Sequence, residues 1–362
     1  MSFEIHTIPF REIDTWASGD AWANAPVLPI TPERAGSQQK NPHAKPDEPC
    51  LWVATNDTGR VVGFAGSLPG YDVRNSERMG WNTCWWVDPD LGKEAGMPLF
   101  FHFLKQWDQR VAFADMTSRT HAIIRQLGFC NTREEVLVHS TLKIPVFKLI
   151  GNLGFTGRLL SPLIRVLCHL VNGVQQVRFS RFPGREGFHA ESIARINEEI
   201  FEFVRLHRQN DFIHRSLEEY RWIEENPWLV TRSQSAHNIA ERYPFTYEVH
   251  AYRLEWVITR DEKSITSVMM VSARDGALKV LSYWGSDAGL ALSALLAKVA
   301  GNKKLHSLVF SHPQWLAQLP LLKSLGLKTR VLQRLVGISK TIMEAFPGET
   351  VIQLGDGDSV FT

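Results

Sequence analysis

Residues 80–99 read GWNTCWWVDPDLGKEAGMPL. The first eight, Gly80 to Val87, are rich in Trp, Thr and Val, which suit a pleated, half-buried surface and predict a strand. Pro89 and Gly92 break the pattern. From Met97 to Gln109 the apolar residues fall at helical spacing, so a helix is expected there.

Reading outward, Leu51 to Thr55 and Val61 to Ser67 flank the turn Asn56-Asp57-Thr58-Gly59 and predict a hairpin. After the helix, Arg110 to Asp115 is a strand candidate. Thr117 to Leu127 is a helix stopped by Gly128, and Val136 to Lys143 is a strand. The C-terminal half gives helices over 190–206 and 216–225, then hairpin strands over 248–259 and 264–272. A strand over 277–284, a helix over 288–300, a strand over 306–311 and a helix over 313–325 follow, with Gly326 at its end. Both halves therefore share one order: hairpin, strand, loop, helix, strand, helix, Gly. This repeat of elements predicts two α/β (α+β) domains, each a mixed central sheet flanked by helices.

Length and composition agree. A chain of 362 residues suggests two domains. With 44% hydrophobic and 22% charged residues it is a globular composition, not a disordered, collagenous or coiled-coil one. The net charge of 40 − 38 = +2 gives no pull towards nucleic acid. The start, MSFEIHTIPFREID, does not read as a signal peptide. Cys50, Cys84, Cys130 and Cys168 form no CxxC pair, so no metal site is expected; they read as reduced thiols of a cytoplasmic protein. No P-loop, HExxH or GxSxG motif is present.

Charge is uneven along the chain. Residues 1–140 carry 13 basic and 17 acidic residues, net −4. Residues 141–190 carry seven basic residues and one acid, Glu186, net +6. Residues 144–187 are accordingly expected to be a basic helical connector between domains at 1–143 and 188–362. Its helix, Arg158 to Asn172, has a narrow face of Ser161, Arg165, Cys168, His169 and Asn172, the rest being almost all Leu, Ile and Val. Such a helix packs between domains or lies on a membrane surface; packing is the expectation.

Val87-Asp88-Pro89, then Lys93-Glu94-Ala95-Gly96-Met97-Pro98, then Leu127-Gly128-Phe129, resemble the GCN5-related N-acetyltransferase (GNAT) superfamily. There a strand bearing V-x-P runs into a Q/R-x-x-G-x-G/A loop whose amides hold the diphosphate of acetyl-CoA at a helix N-terminus. The resemblance implies acetyl-CoA as co-substrate, without a metal. It places cofactor contacts at Trp86, Val87, Asp88, Lys93, Glu94, Ala95, Gly96, Met97 and Leu99. Two departures stand out. Pro98 falls where the second Gly/Ala belongs and offers no N–H. Ile124 and Leu322 fall where many members carry the tyrosine that protonates the thiolate. In the second half Asp287 would repel a phosphate, so the first half is the expected CoA site. Pro29-Ile30-Thr31, Arg34-Ala35, Ser37, Asn41-Pro42 and Leu51-Trp52-Val53-Ala54 look like a bacterial set of tandem acetyltransferases. Arg215-Ser216, Tyr220-Arg221-Trp222 and Pro227 resemble acetyltransferase-like proteins linked to surface polysaccharides.

The implied activity is acyl-CoA-dependent N-acyl transfer, with acetyl as the expected acyl group, to a small-molecule or sugar amine. Candidate acid–base residues are Asp72, Cys84, Ser118 and His121. The long Pro-bearing segment from Trp16 to Pro49 is expected to cover the acceptor, with Arg34, Gln38, Asn41 and His43 as contacts and Tyr71, Trp81 and Trp85 as groove walls. Alternatives are a tandem domain that binds a ligand without catalysis, and a Fem-type aminoacyl transferase acting on a lipid-linked substrate. Gly355-Asp356-Gly357-Asp358 lacks the further ligands of a calcium loop and reads as a turn.

Overall fold

The computed structural model describes residues 2–19, 25–71, 77–180, 188–232, 237–262, 264–344 and 350–361. Strands of the first half are β1 (Phe3–Pro9), β2 (Pro49–Asn56), β3 (Val61–Tyr71), β4 (Arg78–Val87), β5 (Val111–Phe113) and β6 (Cys130–Thr141). Those of the second are β7 (Phe188–Ile193), the two-residue β8 (Val230–Thr231) and β9 (Glu248–Val249), β10 (Tyr252–Asp261), β11 (Ser264–Arg274), β12 (Ala277–Gly285), β13 (Ser307–Phe310) and β14 (Lys328–Ser339). Helices of eight residues or more are α1 (Pro32–Gln39), α2 (Gly96–Gln106), α3 (Ser118–Leu127), α4 (Ser161–Ser180), α5 (Glu198–His207), α6 (Leu217–Glu225) and α7 (Ala288–Gly301).

Two compact units result. One holds Met1–Glu135, Asn210–Val249 and Arg334–Thr362; the other holds Val136–Gln209 and His250–Gln333. In the first, β1 to β4 form an antiparallel meander and β4 pairs with β5 in parallel. The end of β14 then adds antiparallel to β5, with Gly337 opposite Phe113. In the second, β7, β10, β11 and β12 are antiparallel in that order, β12 pairs with β13 in parallel, and the end of β6 lies antiparallel on β13. Each unit thus takes one sheet strand from the other half of the sequence.

Alternation along β2 shows why the first sheet is buried on both faces. Trp52 and Ala54 join the cluster with Leu99, Phe100, Phe103 and Ile124, while Leu51 and Val53 join Phe10, Ile30, Ala35 and Phe64. Strands covered on both faces read as nearly continuous apolar runs, as Val61–Phe64 does. In the second unit α7 is apolar almost all round, and Leu292, Leu295 and Leu296 are fully buried in its core.

The shared order of elements stands, but β1 and β14 lie outside the expected elements, and there are local differences besides. Residues 190–193, expected as the start of a helix, belong to β7; α5 starts only after Asn197, whose side chain accepts from Ile200 N. The helix expected over 313–325 is broken into Pro313–Leu316 and Leu319–Leu325, Pro320 having no N–H with which to continue it. The Trp16–Pro49 segment contains α1, opened by Thr31, which accepts from Arg34 N, and by Pro32 in the first turn. The connector helix is longer than expected and carries its apolar side outward, as described below.

Candidate active site

In the first unit β4 parts from β5. Its parallel pairing with β5 covers Gly80, Trp81 and Asn82 and stops at Phe113. Beyond that, Cys84 to Val87 pair only with β3 among the described residues. Two parallel strands that part in this way leave backbone N–H and C=O groups facing the gap. The β3–β4 register also slips there: Gly66 faces Cys84, Ser67 faces Asn82, and Thr83 is the extra residue of a bulge. In an unbroken strand residues 81 and 84 would point to opposite faces. The bulge puts Trp81 and Cys84 on one face, where Trp81 packs on Gly357 and Cys84 feels the charges of Arg34 and Asp358. Gly66 is required, because a Cβ there would lie 2.7 Å from Cys84 Sγ.

At the mouth of the gap the chain turns into α2. Asp88 builds the turn. Its Oδ1 accepts from Asp90 N (2.9 Å) and Leu91 N (3.0 Å), and Oδ2 accepts from Arg60 (3.0 Å). The two amides, then Arg60, hold its carboxyl below the ordinary aspartate value. Gly92 donates to Asp88 O and lies against Val62, whose carbonyl would be 2.0 Å from a Cβ. Ala95 at the N-cap gives α2 no side-chain cap, so the amides of Gly96 and Met97 carry the positive end of the helix dipole. Gly96 has room: a Cβ would meet only Val87 Cγ1, at 3.4 Å. The second unit repeats the geometry, with a β11–β12 slip at Met270/Val271 and a β12–β13 pairing that stops at Lys279. There, however, Asp287 accepts from Leu290 N (2.9 Å) and closes the N-terminus of α7.

The structure places the expected cofactor contacts as follows. Asp88 binds its own loop. Leu99 is fully buried and its N–H is bonded to Ala95 O; Ala95 N is bonded to Gly92 O. Trp86 stacks on Phe64 (5.4 Å). Trp85 faces the opposite side, stacking on Phe100 (4.7 Å) and donating Nε1–H to Gly96 O (3.2 Å). Lys93 and Glu94 are exposed. Gly96 and Met97 remain at the gap with Val87 on the free reach of β4.

On the bulge face, α1 is turned inside out. Arg34, Ser37 and Gln38, with Asn41 just beyond, recur at i, i+3, i+4 and i+7, and all four are buried. Arg34 Nη1 donates to Tyr243 Oη (2.6 Å), and its guanidinium lies 4.2 Å from the centre of the Trp228 ring. Its Nε and Nη2 are buried without a hydrogen-bond partner, as is Asn41 Nδ2. Burial works against the Arg34 charge; Tyr243, Cys84 and Asp358 outweigh it, so its pKa is raised. Of these three only Asp358 is a carboxylic acid: burial pushes the Cys84 thiol up and the Tyr243 phenol up to about 12. Ser37 joins two further indoles, Oγ accepting from Trp228 (2.9 Å) and its carbonyl from Trp222 (2.8 Å). His43 pairs with Glu219 (2.8 Å) and meets Tyr71 edge-on (4.8 Å).

The four acid–base candidates do not come together. Asp72 lies outside the described residues. Cys84 packs with Phe64 and Cys50, whereas Ser118 and His121 sit on α3, which buries Ile124 in the opposite cluster. Besides Trp228 and Tyr243, the residues of this face not expected from sequence come from the end of the chain. Asp356 is buried and held by Gln353 N (2.9 Å) and Arg215 (3.4 Å). Gly357 takes φ +70° and would strike Trp81 with a Cβ at 2.9 Å. Phe361 stacks on Trp228 at 4.5 Å. The Gly-Asp-Gly-Asp turn thereby lays Asp358 on the bulge face; only the two glycines signal so close an approach.

A parted pair of parallel strands with a bulge beside the gap, present in both units, and in the first an open helix N-terminus after the V-x-P strand, define the GNAT fold. Solved structures agree. A protein of Enterococcus faecalis V583, described as a probable N-acyltransferase, matches with a TM-score of 0.54 at 11% identity, over 96% of this chain and 75% of its own. The tandem GNAT protein from the clavulanic acid biosynthesis pathway matches with a TM-score of 0.50 at 14% identity, over 96% of this chain and all of its own (100%). No protein-family model matches the chain, and no curated protein matches its sequence. Among the described residues no helix is long and apolar enough to cross a membrane.

Proposed function

We propose that the chain is an acyl-CoA-dependent N-acyltransferase, working in the cytoplasm, that acetylates a small molecule bearing an amine and an acidic group. Residues 1–143 supply the donor site. The observation that carries this reading is the asymmetry between the units: α2 begins uncapped beside a strand gap, while α7 is closed by Asp287. Acetyl-CoA supplies the activated thioester. The Gly96 and Met97 amides bind its diphosphate, with Lys93 at the rim. N–H groups on the free reach of β4 donate to the oxygen that gains charge as the amine attacks. Asp358 is the carboxylate on the acceptor side and takes the amine proton; the thiolate leaves with a proton from water. Arg34 holds the acidic group of the acceptor through Nε and Nη2, a fork suited to a carboxylate, while Asn41 offers a further donor. A sugar amine with an acidic substituent fits the same contacts.

One observation favours a second reading, ligand binding without turnover. Pro98 removes an amide from the first turn of α2, and Ile124 and Leu322 are fully buried core residues. The test is thermal unfolding with millimolar acetyl-CoA. A ligand at about 100 times its Kd adds roughly 2.7 kcal/mol, a rise of about 5–10 °C at 2–4 °C per kcal/mol. Gly96→Glu, which adds a carboxylate at an uncrowded position, should abolish the rise. A rise without thiol release on any amine supports the binding module. Absence of a rise with every CoA ester refutes the acyltransferase reading.

A further inference from the structure

Helix α4 turns its apolar side to solvent. Its inward residues are Ser161, Ile164, Cys168, Val171, Asn172, Gln175 and Phe179, four of them polar or small. Asn172 explains this orientation: it accepts from Ile144 N (2.7 Å) and donates to Ile144 O (3.2 Å), tying the helix to the chain before it. The outward stripe is Leu163, Val166, Leu167, Leu170, Val174 and Val177, between 48% and 65% exposed. At 100° per residue these six fall within an arc of about 100°. Just before the helix Phe155 and Leu159 are 81% and 70% exposed. A run of large apolar side chains this long is an interaction surface, not scattered surface hydrophobicity.

Charge identifies the occupant. Residues 141–190 carry seven bases against Glu186 alone, net +6; Lys143 is buried and donates to Ala300 O and Asn302 O, so it stands apart from the surface charge. Arg165 and His169, both exposed, flank one side of the stripe. A second copy of this chain would bring like charges together across a self-complementary interface. An anionic bilayer satisfies both features, since apolar side chains enter the acyl boundary while cations stay at the headgroups.

We infer that α4 docks this protein on an anionic membrane surface, lying in the plane of the interface without crossing it. The inference is independent of the acyltransferase reading.

Co-sedimentation of the full chain with vesicles of phosphatidylglycerol and phosphatidylcholine tests it, beside vesicles of phosphatidylcholine alone. Binding is expected only to the anionic vesicles, weakening from 0.1 to 0.5 M salt. Leu163→Ser with Leu170→Ser should weaken it at least tenfold. Arg165→Gln should weaken it about fivefold, the factor one base near such a surface is worth. All three positions are exposed, so the melting temperature should hold; Val174→Ser is the milder check. Two results overturn the inference: no difference between the vesicle types, or a concentration-dependent dimer that the leucine substitutions dissociate.

Discussion

Replacing Arg34 with methionine distinguishes a guanidinium that holds substrate from one that holds the fold. Methionine keeps an unbranched apolar stem beside the Trp228 ring. The substitution loses the bond to Tyr243, about 1.5–3 kcal/mol for a charged donor. It also loses the cation–π contact at 4.2 Å, about 2 kcal/mol when desolvated. Against this it removes two buried donors that have no partner, at about 1–3 kcal/mol each. The two sides nearly cancel, so the unliganded protein should change little, by about 4 °C or less in melting temperature. Catalysis should respond strongly. With an amino-acid acceptor kcat/KM should fall about a hundredfold, the loss of a two-bond charged contact. With the matching amide as acceptor it should not fall, and the KM for acetyl-CoA should stay constant. The assay is thiol release over paired amino acids and their amides. A melting temperature lower by more than about 8 °C would mark Arg34 as structural. Equal losses with acid and amide acceptors would refute the anion contact.

Other perturbations test the rest of the site. Gly92→Ala should destabilise by about 3 kcal/mol or more, since its Cβ would meet Val62 O at 2.0 Å. Gly96→Ala, with only Val87 at 3.4 Å, should leave the melting temperature unchanged or slightly raised. Burial lowers the His312 pKa from 6.5 to about 4. The unfolded chain therefore takes up this proton first, and stability should fall by about 3 kcal/mol between pH 6.5 and 4. In His312→Gln, urea midpoints should lose that slope. Asp88 has the opposite sign: its lowered pKa stabilises above the ordinary 3.8 of an aspartate and ceases to as pH falls through the folded value. The deficit of Asp88→Asn, measured by urea unfolding, should close in that range.

Much of the architecture was legible because it is written in local patterns. The hairpin turn at 56–59, the Trp-rich strand and the stop at Gly128, where φ is +71°, each depend on neighbours in sequence. Helix α1 escaped notice because it buries its polar side. Arg34, Ser37 and Gln38 carry the 3.6-residue period, and a search for apolar periodicity passes over them. The orientation of α4 was hidden for a related reason. Periodicity defines a helix face but not the direction it points, and the bonds from Asn172 to Ile144 set the direction. Trp228 carries no local sign of reaching the β4 bulge, and Asp358 none beyond the glycines beside it. Their placement depends on segments 210–249 and 334–362 joining the first unit, a non-local fact.

The two halves differ at the start of the helix that follows the strand gap. Both keep the bulge, the parting of parallel strands and the helix that follows. At the helix start the first half has Ala95 and the second Asp287, whose carboxylate accepts from Leu290 N. A capping carboxylate stabilises a helix by about 1 kcal/mol, and the same negative charge opposes a diphosphate. The second unit has thus gained stability at the place where a donor site would need to stay open. Asp287→Ala tests the trade directly. The melting temperature should fall by the loss of the cap, about 2–4 °C. Binding of acetyl-CoA, measured by calorimetry, should keep its stoichiometry of one if other features of the second unit also exclude the ligand. A second equivalent bound by the variant would show that this carboxylate alone closes the site. No binding by either form would remove the donor site from the first unit as well.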